Sequence, residues 1–209
     1  MSKLIRFKKT VYSSSEGYDL YAPHYDEKLD YLDSFEKRKL VELMDNLGGK
    51  KVLDIGCGTG RIIPDLLDKN AIVTGADIST EMLKIAQEKF PKVNFVEADI
   101  RKLPFKDDSF DFVIAAFVIV HLKQVELENA FDEVYRVLKP GGKFILTNIN
   151  QKKAPKLKVK NLGEIVIKSY YHIPEHVIEA LNGCRFSIED ENFINEGEIW
   201  INQIIKAVK

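Results

Sequence analysis

The sequence is poor in cysteine: Cys57 and Cys184 are the only two in 209 residues, and they stand far apart. So few thiols exclude a disulfide framework and a cysteine zinc site, and a reducing, cytoplasmic setting is expected. Long apolar runs are also missing. The longest, Phe112 to Val120, is far too short to cross a bilayer as a helix. Met1 to Phe7 lacks the extended apolar core of a secretory signal. Neither sign of charge dominates: 31 Lys and Arg against 32 Asp and Glu leave a net charge of -1. Nothing global therefore draws the chain to nucleic acid or an anionic membrane. Internal repeats are absent, and no Lys-Ser/Thr pair follows the glycine-rich segment at 56–60, so a phosphate-cradling P-loop is excluded.

What is present is the length and apolar fraction of one α/β domain, expected to span 1–209. Residues 1–25 are polar, with Tyr12, Tyr18, Tyr21 and Tyr25 scattered through them. Leu29, Leu32, Phe35, Leu40, Leu43, Met44 and Leu47 then recur at three- and four-residue steps, a helix from Asp26 that Gly48-Gly49 stops. From 48 to 150, strands at 51–55, 71–77, 93–98, 110–117 and 143–149 alternate with helices at 60–69, 80–89 and 123–138. Val125, Leu127, Ala130, Val134 and Leu138 are the core positions of the last helix, and Lys139 to Gly142 form a tight turn. That alternation is the pattern of a doubly wound, mostly parallel sheet, whose ligands sit beyond the carboxyl ends of the strands. Residues 151–209 differ: a lysine-rich hairpin at 152–168 as a lid after strand five, a helix from Pro174, and two antiparallel final strands.

Strand one runs into Val52-Leu53-Asp54-Ile55-Gly56-Cys57-Gly58-Thr59-Gly60. Glycines at alternate positions let a ligand approach the backbone, and the following helix would turn its first amides outward. The third glycine comes one position too early for the dinucleotide fingerprint G-x-G-x-x-G. Strand two ends in Asp77, whose carboxylate can accept from both hydroxyls of a ribose; the plainer reading is a cap on the next helix beside Ser79. Strand three ends in Asp99, which can accept from the amine of adenine between Ile78 and Ile100, or simply solvate a turn before Arg101. Asp54 itself can bind a cationic amine or brace the loop. Together the three acids call for a nucleoside with little phosphate.

These residues resemble class I S-adenosylmethionine-dependent methyltransferases. The match runs through the glycine segment, Gly75-Ala76-Asp77-Ile78-Ser79, Glu97-Ala98-Asp99, Leu103-Pro104-Phe105, Ser109-Phe110-Asp111, His121-Leu122 and Val137 to Gly142. It is closest to the small-molecule, ubiquinone/menaquinone-type subgroup, whose N-terminal stretch resembles Tyr18 to Asp26 and folds over the cofactor. The resemblance implies a Rossmann-like methyltransferase fold of seven strands, the last antiparallel, under an N-terminal helical lid. It implies S-adenosylmethionine as cofactor, with Asp54, Gly56, Cys57 and Gly58 at its methionine part and Gly60 shaping the turn. Asp77 would hold the ribose and Asp99 the adenine amine, with Ile78 and Ile100 as walls of the adenine ring. Phe117 would flank the reactive methyl, and Tyr18 and Tyr25 would close on the methionine carboxylate.

The expected activity is methyl transfer to a small-molecule acceptor. His121 and His172 are the candidate bases, and Tyr170 and Tyr171 the candidate acceptor-pocket aromatics. Each histidine could equally be structural, and the tyrosines a packed edge. No Asn/Asp-Pro-Pro-aromatic motif of amino-methylating DNA enzymes, no Pro-Cys nucleophile and no acidic metal cluster occurs. The alternatives are an RNA-directed methyltransferase using the lysine-rich segment, a non-catalytic cofactor-binding regulator, and an oxidoreductase that the glycine spacing disfavours. The acceptor atom and oligomeric state stay open.

Overall fold

Sheet strands here are short apolar stretches whose alternate residues face two separate cores. The computed structural model describes residues 10–44, 46–149, 156–159, 163–196 and 200–209. In chain order the elements are β1 (Thr10–Tyr12), α1 (Ser14–Tyr25), α2 (Leu29–Leu43), β2 (Lys51–Ile55), α3 (Ile63–Asp68), β3 (Ile72–Asp77), α4 (Thr80–Lys89), β4 (Asn94–Glu97), β5 (Phe110–Ala115), α5 (Leu127–Val137), β6 (Leu138–Ile149), β7 (Lys156–Val159), β8 (Gly163–Ile167), α6 (Pro174–Gly183), β9 (Ser187–Glu196) and β10 (Trp200–Val208).

The main sheet has seven strands in the order β4-β3-β2-β5-β6-β10-β9. β2, β3, β4, β5 and β6 pair in parallel, and β10 runs antiparallel to both β6 and β9. This is the expected doubly wound sheet with an antiparallel last strand. Strand order reverses between β2 and β5, the point at which such sheets bind ligands. Burial follows the two-residue period. Leu53, Val113, Phe144 and Ile205 face a core closed by α5 and α6, where Phe131 and Leu181 are buried. Val52, Phe112, Ile145 and Ile204 face the opposite core, with Leu40 from α2 and Leu66 from α3.

Several boundaries differ from the periodicity. The helix expected from Asp26 begins with a 3-10 turn and ends at Leu43, since Met44 is extended (ψ 97°); Leu47 still reaches the core, from extended chain. α3 starts at Ile63 rather than residue 60, because Gly60 holds φ +88° and Pro64 fits only a first turn. Val125, expected in the core, is 85% exposed: it lies in a 3-10 turn ahead of α5, whose buried face begins at Leu127. The turn expected at 139–142 is absorbed into β6, where the β5–β6 register shifts between Phe110 and Phe112.

A second, three-stranded sheet lies apart from the first, in the order β1-β8-β7. β7 and β8 form the expected hairpin; the parallel pairing of β1 with β8 was not expected. The side chains of the lysine-rich segment 152–160 fall outside the described residues. Ile165 and Ile167 pack beneath Tyr21 of α1. Gly17 makes that packing possible: a Cβ there would lie 2.7 Å from Ile167 Cγ1.

Candidate functional site

The carboxyl ends of β2, β3, β4 and β5 open into one cleft of about 730 Å³, part of it open to solvent. Its floor is Ile55, Gly56 and Gly58 from the loop after β2. Asp77 and Ile78 follow from β3, Ala98 to Arg101 from the end of β4, and Ala116 to Val118 from β5. Ser14, Tyr18 and Tyr25 of α1 cover it, and His121 and Leu122 complete the wall. Among the candidate residues, Gly56, Gly58, Asp77, Ile78, Asp99, Ile100, Phe117, Tyr18, Tyr25 and His121 thus share one space.

The loop is built to keep that space open. Gly56 takes φ +70°, and a Cβ on it would fall 2.4 Å from Val118 Cγ2. The amides of Gly56 and Cys57 both donate to Ala76 O (2.7 and 3.0 Å), fixing the loop to β3. Cys57 is buried and Gly60 turns against Phe90, so neither lines the cleft. α3 is too short and too far along the loop to present its amides as a sequence of outward donors; the loop amides are engaged instead.

Asp77 braces the glycine loop and the turn into α4, where Ser79 rather than Asp77 caps the helix through the Met82 amide. Oδ2 accepts from the Gly58 amide (2.8 Å) and Oδ1 from the Ser79 amide (2.9 Å). The Ile78 main chain also bonds this carboxylate, and the side chain still lines the cleft. Burial pushes its pKa up, and these amide bonds oppose the shift.

Asp54 lies one residue behind the floor and is 1% exposed. Neither carboxylate oxygen has a hydrogen-bond partner among the described residues. Burial raises its pKa to about 7, against the pull of Arg61 and with the help of Asp77. A buried acid without a donor is costly unless something cationic or hydrogen-bonding completes it.

Asp99 is otherwise engaged. Arg101 grips both its oxygens (Nε–Oδ1 2.9 Å, Nε–Oδ2 3.1 Å) and reaches Glu126 Oε1 with Nη1 (2.7 Å). Burial works to raise the Asp99 pKa, but the Arg101 hydrogen bonds outweigh it and hold the carboxyl below the ordinary range. The sequence placed Arg101 beside Asp99 without signalling that it lines the cleft itself.

Two further features lie where periodicity carries no signal. Phe117 holds φ +61°, unusual for a bulky residue and a mark of stored strain. Its amide donates to Thr147 Oγ1 (2.8 Å), and the Arg61 guanidinium stacks 4.9 Å from its ring centre. Arg61 in turn pairs with Glu36 (2.7 Å) and Asp33 (3.1 Å) of α2. The network ties α2, the glycine loop and the β5 corner together.

The cover is fastened by single polar contacts. Asp19 Oδ1 accepts from Ser79 Oγ (2.6 Å) and the Glu81 amide (3.2 Å), Ser15 Oγ donates to Ile78 O (3.3 Å), and Asp26 meets Thr59 Oγ1 and Lys89 Nζ (3.0 Å). Tyr18 donates to His121 Nε2 (3.0 Å). Burial raises the Tyr18 pKa beyond the tyrosine range and that of Tyr25 to about 12.

The second candidate histidine is not in the cleft. His172 is 1% exposed, and its Nε2 sits 3.0 Å from both Ile119 O and Leu122 O, to which it donates. Its own carbonyl accepts from Asn148 Nδ2 (3.1 Å). It therefore clamps the turn that carries His121 rather than facing a ligand. Tyr170 and Tyr171 also stay outside the cleft: Tyr170 donates its amide to Val120 O (2.7 Å) beneath the Lys168 ammonium, and Tyr171 is 39% exposed. Among the described residues, no group of three or more His, Cys, Asp or Glu could hold a metal, and no helix is long and apolar enough to cross a membrane.

Residues 52–142 match the family model described as a methyltransferase domain. A demethylmenaquinone methyltransferase of Paenarthrobacter aurescens is 34% identical over 142 residues, covering 66% of this chain and 55% of that protein. The chain spans little more than half the length of such relatives. A solved structure of a Pyrococcus horikoshii protein, 26% identical, superposes with a TM-score of 0.73 over 92% of this chain and 98% of that one. A magnesium protoporphyrin IX methyltransferase from Synechocystis, solved with bound S-adenosylmethionine, shares the fold at 23% identity, with a TM-score of 0.62 over 93% of this chain and 80% of its own.

Proposed function

We propose that the chain is a class I S-adenosylmethionine-dependent methyltransferase that methylates a small-molecule acceptor of the quinol type; the methyltransferase-domain match over residues 52–142 and the demethylmenaquinone methyltransferase relative support this reading. The observation that carries this reading is that Asp77 and Asp99, from the ends of adjacent parallel strands, line one cleft over Gly56 and Gly58, with Asp54 of β2 buried behind that floor. The donor set fits the cofactor. Asp54, buried with both oxygens unpartnered, fits the α-ammonium. Asp77, lining the cleft beside Gly58, fits a ribose diol. Asp99, once released by Arg101, fits the adenine amine, with Ile78, Ile100 and Met82 as apolar walls. When bound, S-adenosylmethionine supplies a methyl group already activated on sulfonium sulfur.

The protein's own contribution is positional. Phe117 is held at its strained corner by Thr147 and Arg61, and Tyr18 and Tyr25 close the cleft from above and exclude water. Orientation of this kind supplies roughly 7–11 kcal/mol in well-aligned reactions. We place the reaction in the cytoplasm, where two buried free cysteines are stable. We read 1–209 as one domain, in which the described parts of its N-terminal segment and of 151–209 cover the 48–150 core.

The test is transfer of labelled methyl to reduced demethylmenaquinone, to a metabolite extract and to total RNA. Label in the quinol or the extract is expected; label in RNA alone would favour the RNA-directed alternative. Calorimetry should show binding of S-adenosylmethionine and S-adenosylhomocysteine but not NAD. Asp77→Ala should weaken that binding by about 1–3 kcal/mol, the usual result of orphaning hydrogen-bonding groups; unchanged affinity would remove Asp77 from the ribose.

A further inference from the structure

His121 stands in an unbroken chain of hydrogen bonds that joins the two covering segments. The Lys168 amide, just past β8, donates to Tyr12 O of β1 (3.0 Å). The Lys168 carbonyl lies 3.1 Å from His121 Nδ1, and His121 Nε2 lies 3.0 Å from the Tyr18 hydroxyl of α1. A carbonyl oxygen can only accept, so Nδ1 carries the proton. In the neutral ring Nε2 is then bare, and Tyr18 must be its donor. The Tyr18 ring meets the imidazole edge to face, at 5.2 Å and 87°, which fixes the ring plane as well. Both side chains line the cleft.

We propose that His121 is the proton acceptor of this site, that the two covering segments set its tautomer on closing, and that the site takes acceptors whose nucleophile is released by loss of a hydroxyl proton. The inference rests on the methyl-transfer reading above. An acceptor hydroxyl replacing that of Tyr18 at Nε2 meets a lone pair already aimed into the cleft. Its O–H bond breaks and the proton passes to Nε2. The electron pair stays with the acceptor and bonds the methyl carbon, at oxygen or at a conjugated carbon, while the carbon–sulfur pair remains on sulfur. In the carbon case the displaced ring proton returns to the oxygen, so one proton reaches the imidazole either way. That proton leaves for solvent when α1 lifts.

Burial lowers the His121 pKa, opposed by the Lys168 carbonyl, so the ring is neutral and able to accept at neutral pH. Tyr18 is a poor base for the opposite reason, burial having raised its pKa. The other titratable groups sharing the cleft are Tyr25 of α1, Asp77 at the end of β3, and Asp99 and Arg101 after β4. Of these, Asp99 and Arg101 are paired with each other, and the Asp77 oxygens already accept two amides.

Two measurements test this on the full chain. Long-range ¹H–¹⁵N spectra with S-adenosylhomocysteine present should show His121 protonated on Nδ1 alone, with its pKa rising in Tyr18→Phe as the donor to the neutral ring is lost. An Nε2-protonated ring overturns the proposal whatever the activity. In turnover, 1,4-naphthohydroquinone should be methylated in preference to 1-naphthylmethylamine. His121→Asn should lower kcat on the hydroquinone at least 100-fold, within the usual range for losing a general base, with S-adenosylhomocysteine affinity unchanged. Undiminished kcat in His121→Asn, a preference for the amine, or no transfer to the hydroquinone by protein that binds cofactor would each overturn it. Absence of cofactor binding in the wild type would instead sink the methyltransferase reading.

Discussion

The sheet core and its cover are held by different kinds of contact. In the core, Phe131, Phe144, Leu53 and Val113 are wholly buried, and each strand is paired on both sides from β3 to β10. In the cover, α1 is fastened by Asp19, Ser15, Asp26 and Tyr18 through one or two hydrogen bonds apiece, and its small apolar cluster centres on Tyr21, Ile165 and Ile167. Area burial makes the first cooperative. The second consists of bonds of about 1 kcal/mol that water can replace. A part built this way can open while the rest stays folded.

The comparison breaks most directly at Phe131, which packs edge to face on Phe144 at 5.8 Å. Phe131→Ala should cost about 3–5 kcal/mol in denaturant unfolding, with cofactor affinity of the folded protein unchanged; a loss under 1 kcal/mol would mean the core is not the stabilising unit.

Next in size is the pH response of Asp54. With a folded pKa of about 7 against an unfolded 3.8, the cofactor-free protein keeps a proton that the unfolded chain has lost. Stability should therefore fall as pH rises from about 4 to 7 and level off above. A bound ammonium favours the carboxylate, so binding expels that proton. Affinity for S-adenosylhomocysteine should rise with pH, by at most about tenfold per unit, up to pH 7 and then flatten. Asp54→Asn should abolish the slope; a flat wild-type profile in calorimetry would refute the assignment.

The smallest change is at the cover. Asp19→Ala removes an acceptor at the start of α4 and should cost about 1 kcal/mol of stability. Stopped-flow release of S-adenosylhomocysteine should nevertheless quicken several-fold. Equal release rates would show that α1 does not govern exit.

The same contrast explains what could be read from the sequence. β2, β3 and β5 lie close to where their apolar runs put them, because burial on both faces leaves that pattern little freedom. The glycine loop and Asp77 were legible because an acid or a glycine at a strand end is a local signal. α1 was not assigned helix boundaries: its face carries tyrosines and acids rather than an apolar stripe, and what organises it lies far along the chain at Ile78, Ser79 and Ile167. His121 and His172 look alike in sequence, each beside apolar residues. What separates them is that His172 is buried with its Nε2 held by two main-chain carbonyls, whereas His121 lines the cleft and its Nε2 meets the Tyr18 hydroxyl. The Arg101 grip on Asp99 depends on a side-chain geometry that no spacing encodes.

The parallel register of Thr10–Tyr12 against Ile165–Ile167 has a bearing on synthesis. A ribosome makes β1 155 residues ahead of its partner, as the pairing of Thr10 with Ile165 requires, so over that stretch of translation β1 has nothing to pair with. Closing a loop of that length is entropically dear, and contacts so distant in sequence form late. The Tyr12–Lys168–His121–Tyr18 chain hangs on that one pairing. The nascent polypeptide can thus make its glycine loop well before it has any means of orienting the imidazole.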